Sequence, residues 1–158
     1  LARTNGIKAR FLDLANALTS DTRAISNSLK GLPSTIWAKA ETALKLVQDV
    51  GPERMAIVWD TMNSWNLGVS LLETATKLGS LIEYVQLKDA KIDPATGNRK
   101  YVLYGEGDLP QKDFSASLKA LKYNGWICFE WEKMWHPEIE EPEVALPHFV
   151  KAIEKLLR

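Results

Sequence analysis

Three apolar runs in this chain each end in side chains able to do chemistry. Met55-Ala56-Ile57-Val58-Trp59 runs into Asp60, with Asn63 close behind. Ile82–Leu87 runs into Lys88 and Asp89 and carries Gln86 just before its end. Trp126-Ile127-Cys128-Phe129-Glu130-Trp131 carries Glu130 near its end and is followed by Glu132. A short run that is apolar throughout and rich in β-branched and aromatic residues reads as a strand buried on both faces. A carboxylate at the C-terminal end of such a parallel strand is where α/β proteins keep their chemistry. Adjacent parallel strands bring their terminal side chains within reach of one small ligand, and oxygen donors suit a hard cation.

Positioning those tips requires strands that alternate with helices, and the chain supplies both. Ile7–Phe11 alternates as a strand does, with Asp13 near its end. Ser34 reads as a helix N-cap, and Ile36, Ala40, Ala43, Leu44 and Val47 form one apolar stripe that ends at Gly51-Pro52. After Asp60, a loop is expected to carry Asn63, Trp65 and Asn66. Leu71, Leu72, Ala75 and Leu78 mark the next helix, with Gly79 as its cap. The polar segment from Ala90 to Lys112 is too long for a simple connection and reads as a functional loop. Phe114, Leu118 and Leu121 predict a helix before the Trp126 strand, and Phe149, Val150, Ile153, Leu156 and Leu157 predict the last one.

Four strand–helix units therefore begin near Ile7, Met55, Ile82 and Trp126, which implies a parallel sheet. An open doubly wound sheet and part of a (β/α)8 barrel both fit. The first strand is followed by no Gly-rich phosphate loop, which disfavours nucleotide binding. A complete barrel needs about 250 residues, so 158 residues correspond to about half of one. No linker or low-complexity segment divides residues 1–158, which read as a single domain.

Composition narrows the function classes. Lys+Arg and Asp+Glu each number 20, so nothing in the charge balance suggests nucleic acid or an anionic membrane. The lone Cys128 cannot form an internal disulfide, which favours a reducing, cytoplasmic setting. No apolar run approaches the roughly 20 residues that span a bilayer. Leu1-Ala2-Arg3-Thr4 is unlike a signal peptide, and the missing initiator Met reads as a processed or trimmed chain.

Together the motifs resemble one family. Ile57-Val58-Trp59-Asp60-Thr61-Met62-Asn63 resembles the sixth strand of the xylose-isomerase-like (β/α)8 family. That family includes sugar phosphate isomerases and epimerases, ketose 3-epimerases and endonuclease IV-type repair enzymes. Tyr84-Val85-Gln86-Leu87-Lys88-Asp89-Ala90 resembles its seventh strand, with Gln86 where His is usual. Gly105-Glu106-Gly107-Asp108 resembles its turn before the seventh helix, and Gly125–Glu132 its eighth strand. Asp13–Asp21 resembles, more faintly, the fifth strand and its loop. The resemblance runs in order over most of Gly51 to Leu157 and implies an α/β fold, the C-terminal half of a (β/α)8 TIM barrel.

The resemblance implies a sugar or sugar phosphate isomerase or epimerase, with metal-assisted proton transfer next to a keto-sugar carbonyl. It places a divalent metal (Mn, Mg or Zn) on Asp13, Asp60, Gln86 and Glu130. Glu130 or Asp13 would be the base, and Lys88 would neutralise developing charge. Expected substrate contacts are Asn63, Trp59, Glu106 and Glu132. Gln86 departs from the family pattern, because an amide oxygen suits Mg or Mn but is a poorer zinc ligand than imidazole. With only two His, His136 and His148, the zinc-rich repair-nuclease reading is rejected; His148 in the last helix reads as structural. A metal-free carbohydrate-binding or regulatory protein of the same fold is the alternative. A half barrel would also pair with a second copy or with a missing N-terminal half.

Structural readings stand beside these roles. Asp60 can cap the following segment, and Glu130 can pair with a neighbouring Lys or Arg. Lys88-Asp89 can be a solvated pair at a strand end. Gly105 and Gly107 can serve turn geometry through positive φ. Trp59, Trp65, Trp131 and Trp135 can be core rather than sugar-stacking, and Cys128 a buried small hydrophobe.

Overall fold

The computed structural model describes residues 40–157. The chain divides into two compact units, residues 1–56 and 57–158. In the first, helix α1 (Ala40–Val50) buries Ala40, Leu46 and Val47. Gly51 stops it: its N–H donates to the Val47 carbonyl at 2.8 Å, and its φ of 105° is open to glycine. The expected strand at Ile7–Phe11, with Asp13, and the Ser34 cap lie outside the described residues.

The second unit is built on three parallel strands, β1 (Ile57–Asp60), β2 (Ile82–Leu87) and β5 (Trp126–Phe129), ordered β1-β2-β5. Each strand is followed by helix: α2 (Thr61–Asn66) and α3 (Leu71–Leu78), then α4 (Gln111–Ala120), then α5 (Pro142–Leu157). Ser70 caps α3, accepting from the Glu73 N–H at 3.4 Å, and Gly79 closes it with φ 55°. Among the described residues no helix is long and apolar enough to cross a membrane.

Two stretches differ from the sequence reading. The segment after Asp60 is not a loop. Asp60 accepts from the Asn63 N–H at 3.0 Å and so starts the six-residue helix α2, which is too short to show periodicity. The polar segment from Ala90 is not structureless either. It contains an antiparallel hairpin of β3 (Asp89–Ile92) and β4 (Arg99–Val102), with Ala90 opposite Tyr101.

Strand register divides the sheet into two faces. Alternate residues of a strand point to opposite sides, and partners in parallel strands share a side. Ile57, Trp59, Val85 and Leu87 are buried on one side. Trp59 lies beside Phe114 with ring centroids 6.3 Å apart, and Phe129 stacks on Phe149 at 4.4 Å. On the other side, Val58, Tyr84 and Trp126 form one row and Asp60, Gln86 and Cys128 the next. Val58 is 53% exposed there and Trp126 63%.

Candidate active site

The next row up, at the C-terminal tips, holds the charges. Lys88 follows β2 on the open face and is only 4% exposed. Its Nζ lies 3.1 Å from Asp60 Oδ2 and 2.7 Å from Glu132 Oε1, and it donates to Glu130 Oε2. Three carboxylates from two strand ends thus converge on one ammonium. Backbone geometry sets the approach, since the Glu130 N–H donates to the Leu87 carbonyl at 2.8 Å and carries the β2–β5 ladder one step past the strand. Burial alone would lower the Lys88 pKa, but the three carboxylates outweigh it and hold it above the ordinary lysine value. Burial alone would raise Glu132. Lys88, the Tyr101 hydroxyl and His136 outweigh that and hold the carboxyl below its usual range.

Around this cluster runs a rim of polar side chains. Asn63 Nδ2 donates to Asp60 Oδ2 at 2.7 Å, while its Oδ1 accepts from Arg99 Nη1 at 3.1 Å. Arg99 belongs to β4 and lies over the Tyr101 ring at 5.9 Å. The Tyr101 ring meets His136 edge-on at 4.7 Å, and His136 Nε2 is 3.9 Å from Glu132 Oε2. The hairpin therefore contributes side chains to the mouth.

Asp89 faces the opposite way from Lys88 and is completely buried. It is an anchor. Its carboxylate accepts from the N–H groups of Ala90 (2.9 Å), Gly105 (2.9 Å), Gly107 (3.1 Å) and Leu109 (3.2 Å), and from Gln111 Nε2 (3.2 Å). Burial pushes this carboxyl up, against the pull of the four backbone donors. The solvated-pair reading of Lys88-Asp89 is thereby corrected, since both are buried and they point to different faces. Gly105 does have a positive φ of 92°. Gly107 is needed for a different reason: a Cβ there would lie 2.1 Å from Asp89 Oδ1 and 2.7 Å from the Ala90 nitrogen.

The expected site residues divide accordingly. Asp60, Lys88, Glu130, Glu132 and Asn63 are brought together, and Asp60 also caps α2. Gln86 lies on the same open face, one row below the Lys88 tip. Asp13 lies outside the described residues. Glu106 is exposed on its turn and joins none of these contacts. Trp59 is corrected: it is 2% exposed, on the helix side, with Nε1 donating to Ser64 Oγ at 3.2 Å. Cys128 is half-buried on the open face rather than in the core. Its hydrogen bond to Tyr84, with burial of that phenol, pushes Tyr84 up to about 12. His148 Nε2 meets the Tyr104 carbonyl at 3.0 Å inside the fold. Arg99 and Tyr101 have no signal in the sequence because nothing in their spacing announces a hairpin, and His136 stands in the sequence without a partner to mark its place beside Glu132.

A divalent ion does not fit the described residues as they are placed. The three acids close around an ammonium rather than around a space for an ion, and Gln86 offers a neutral amide. Among the described residues no group of three or more His, Cys, Asp or Glu side chains is arranged to hold one.

Comparison with known proteins agrees with this architecture. A model of the xylose isomerase-like TIM barrel family matches residues 27–156. None of the curated proteins matches the chain. Among solved structures, a xylose isomerase domain protein from Planctomyces limnophilus superposes with a TM-score of 0.57 at 21% identity, over 75% of this chain and 41% of its own. An L-ribulose 3-epimerase gives 0.61 at 16% identity, over 76% and 42%. A D-allulose 3-epimerase from Methylomonas sp. gives 0.51 at 19% identity, over 71% and 35%. The chain thus spans less than half the length of each of these structures.

Proposed function

The chain belongs to the xylose isomerase-like TIM barrel family, and from that footing we propose that it acts on a small keto-sugar by moving a proton at the carbon next to a carbonyl. The observation that carries this reading is the convergence of Glu130, Glu132 and Asp60 on Lys88 at the strand tips. A carboxylate there takes the proton from carbon, and the electron pair of the broken C–H bond moves onto the carbonyl oxygen to give an enediolate. Returning the proton to the neighbouring carbon, while the hydroxyl proton of the first carbon passes to the former carbonyl oxygen, isomerises the sugar; returning it to the other face of the same carbon epimerises it. Glu130 is the base in this scheme, and Lys88 faces the growing negative charge. Glu132, held below the usual range, stays ionised and keeps Lys88 in place. Asn63 and Arg99 are suited to orient hydroxyl groups at the rim.

The expected divalent metal plays no part in this scheme, because the acids are already engaged by Lys88. The same fact favours a second reading, a carbohydrate-binding protein of this fold without turnover. We further propose that the open face of the sheet is covered by a second copy of the chain, because Val58 and Trp126 stand exposed on it.

Solvent exchange separates turnover from binding. The purified protein is incubated with a panel of keto-sugars in D2O, and deuterium next to the carbonyl is read by NMR. Incorporation is expected, with Glu130→Gln slower by about 10²–10⁴-fold, the usual worth of a general base. Saturable sugar binding without incorporation by any panel member would leave only the binding reading.

A further inference from the structure

We propose that Lys88 is a resident cation: its ammonium stands where a carboxylate site on these strand tips would otherwise take a divalent ion, and it keeps such ions out. This refines the reading above by naming the charge that meets the oxyanion, and it rests on that reading only for that role. The geometry is specific. Three carboxylates enclose the ammonium: it donates to Glu130 Oε2 and to Glu132 Oε1, the latter at 2.7 Å, and is ion-paired with Asp60 Oδ2 at 3.1 Å. The side chain is 5% exposed, so it is held in place rather than waving in solvent. A lysine ammonium is charged at neutral pH. A divalent ion entering here would meet a like charge at close range in a partly desolvated site, where repulsion is only weakly screened.

Enclosure of the buried ammonium by three carboxylates has a mechanistic consequence. A substrate oxygen can reach Lys88 only by displacing one carboxylate. The Asp60 contact is the longest of those given above. Asp60 Oδ2 would also keep a partner after losing Lys88, because Asn63 Nδ2 donates to it at 2.7 Å. Lys88 therefore exchanges Asp60 for the substrate oxygen while keeping both glutamates. Gln86 fits this arrangement, because a site whose cation is covalently attached needs no imidazole ligand.

The test is manganese binding, followed by electron paramagnetic resonance of free Mn2+ with calorimetry alongside. The wild-type protein is expected to show no saturable binding up to millimolar Mn2+. Lys88→Met leaves three acids without their cation and is expected to gain one Mn2+ per chain, tighter than the wild type by on the order of a hundredfold or more. Adding Asp60→Asn to Lys88→Met is expected to weaken that gained site. Saturable Mn2+ binding by the wild type that Asp60→Asn abolishes overturns the proposal, as does a folded Lys88→Met protein that gains none. Should Lys88→Met fail to fold, the wild-type titration decides alone: no saturable site supports the proposal, and one lost in Asp60→Asn overturns it. Failure of the isomerase reading shows differently, as no deuterium exchange with any sugar, and leaves the manganese results unchanged.

Discussion

Lys88 and Glu132 hold each other in their charged forms, and the two pKa directions make separate predictions. Lys88 is raised, so its contribution to stability is complete below the unfolded lysine value and is lost only as pH climbs through the higher folded value. Its side-chain nitrogen resonance should therefore titrate above the ordinary value of about 10.4; a midpoint at or below it would show the ammonium to be solvated. Glu132 is lowered, so its contribution is present above the unfolded value, about 4.3, and disappears as pH falls through the folded one. Urea midpoints should drop between pH 6 and pH 3, and the drop should be smaller in Glu132→Gln. At this scale the sequence was informative wherever an apolar run ended in an acid, as at Asp60 and Glu130. Trp59 shows where that reasoning stopped. Strict alternation from Asp60 puts residue 59 on the opposite face, but an aromatic beside an acid reads equally well as a sugar platform.

Among the elements, the turn at Gly105–Asp108 is tied to the sheet through Asp89. Asp89→Ala removes the acceptor for four backbone N–H groups and for Gln111, leaving buried donors unpaired. A loss of roughly 3–5 kcal/mol is expected, in line with breaking one side of a buried charged network. Gly107→Ala places a methyl against Asp89 Oδ1 and should cost about 1–3 kcal/mol. The two changes share one contact, so the double variant should be more stable than the sum of the single losses predicts. Chemical denaturation of the three variants measures this, and strict additivity would mean that Gly107 serves something other than Asp89. The β/α succession was legible because runs such as Ile82–Leu87 and stripes such as Leu71, Ala75 and Leu78 are long enough to show their period. The hairpin was not. Arg99-Lys100-Tyr101-Val102 carries two adjacent cations and only two apolar residues, and its strands take their order from pairing with each other. Helix α2 was hidden for a related reason, since its signal is one capping acid rather than a stripe.

For the molecule as a whole, the asymmetry of the sheet matters most. One face is covered by α-helical side chains, while the other presents Val58 and Trp126. Apolar area of this kind is stabilised by burial, at about 25 cal/mol per Å2 removed from water. The chain of 17.7 kDa should therefore sediment as a dimer or larger, with Trp126→Lys shifting it toward a monomer and leaving its helical circular dichroism intact. A monomer at all concentrations would remove the proposal of a second copy on this face. The sequence could count strands and place their tips, because those follow from local patterns. It could not say which face stays bare, because that depends on what lies beyond the three strands.

The opposed orientation of Lys88 and Asp89 also polices how β2 threads into the sheet. Sliding this strand by one residue would exchange the two side chains. An acid would then arrive among Asp60, Glu130 and Glu132, four negative charges with no counterion. The ammonium would be thrust into a ring of N–H groups that can only donate. Both errors are costly, so two neighbouring residues of opposite charge make misthreading self-defeating from either side.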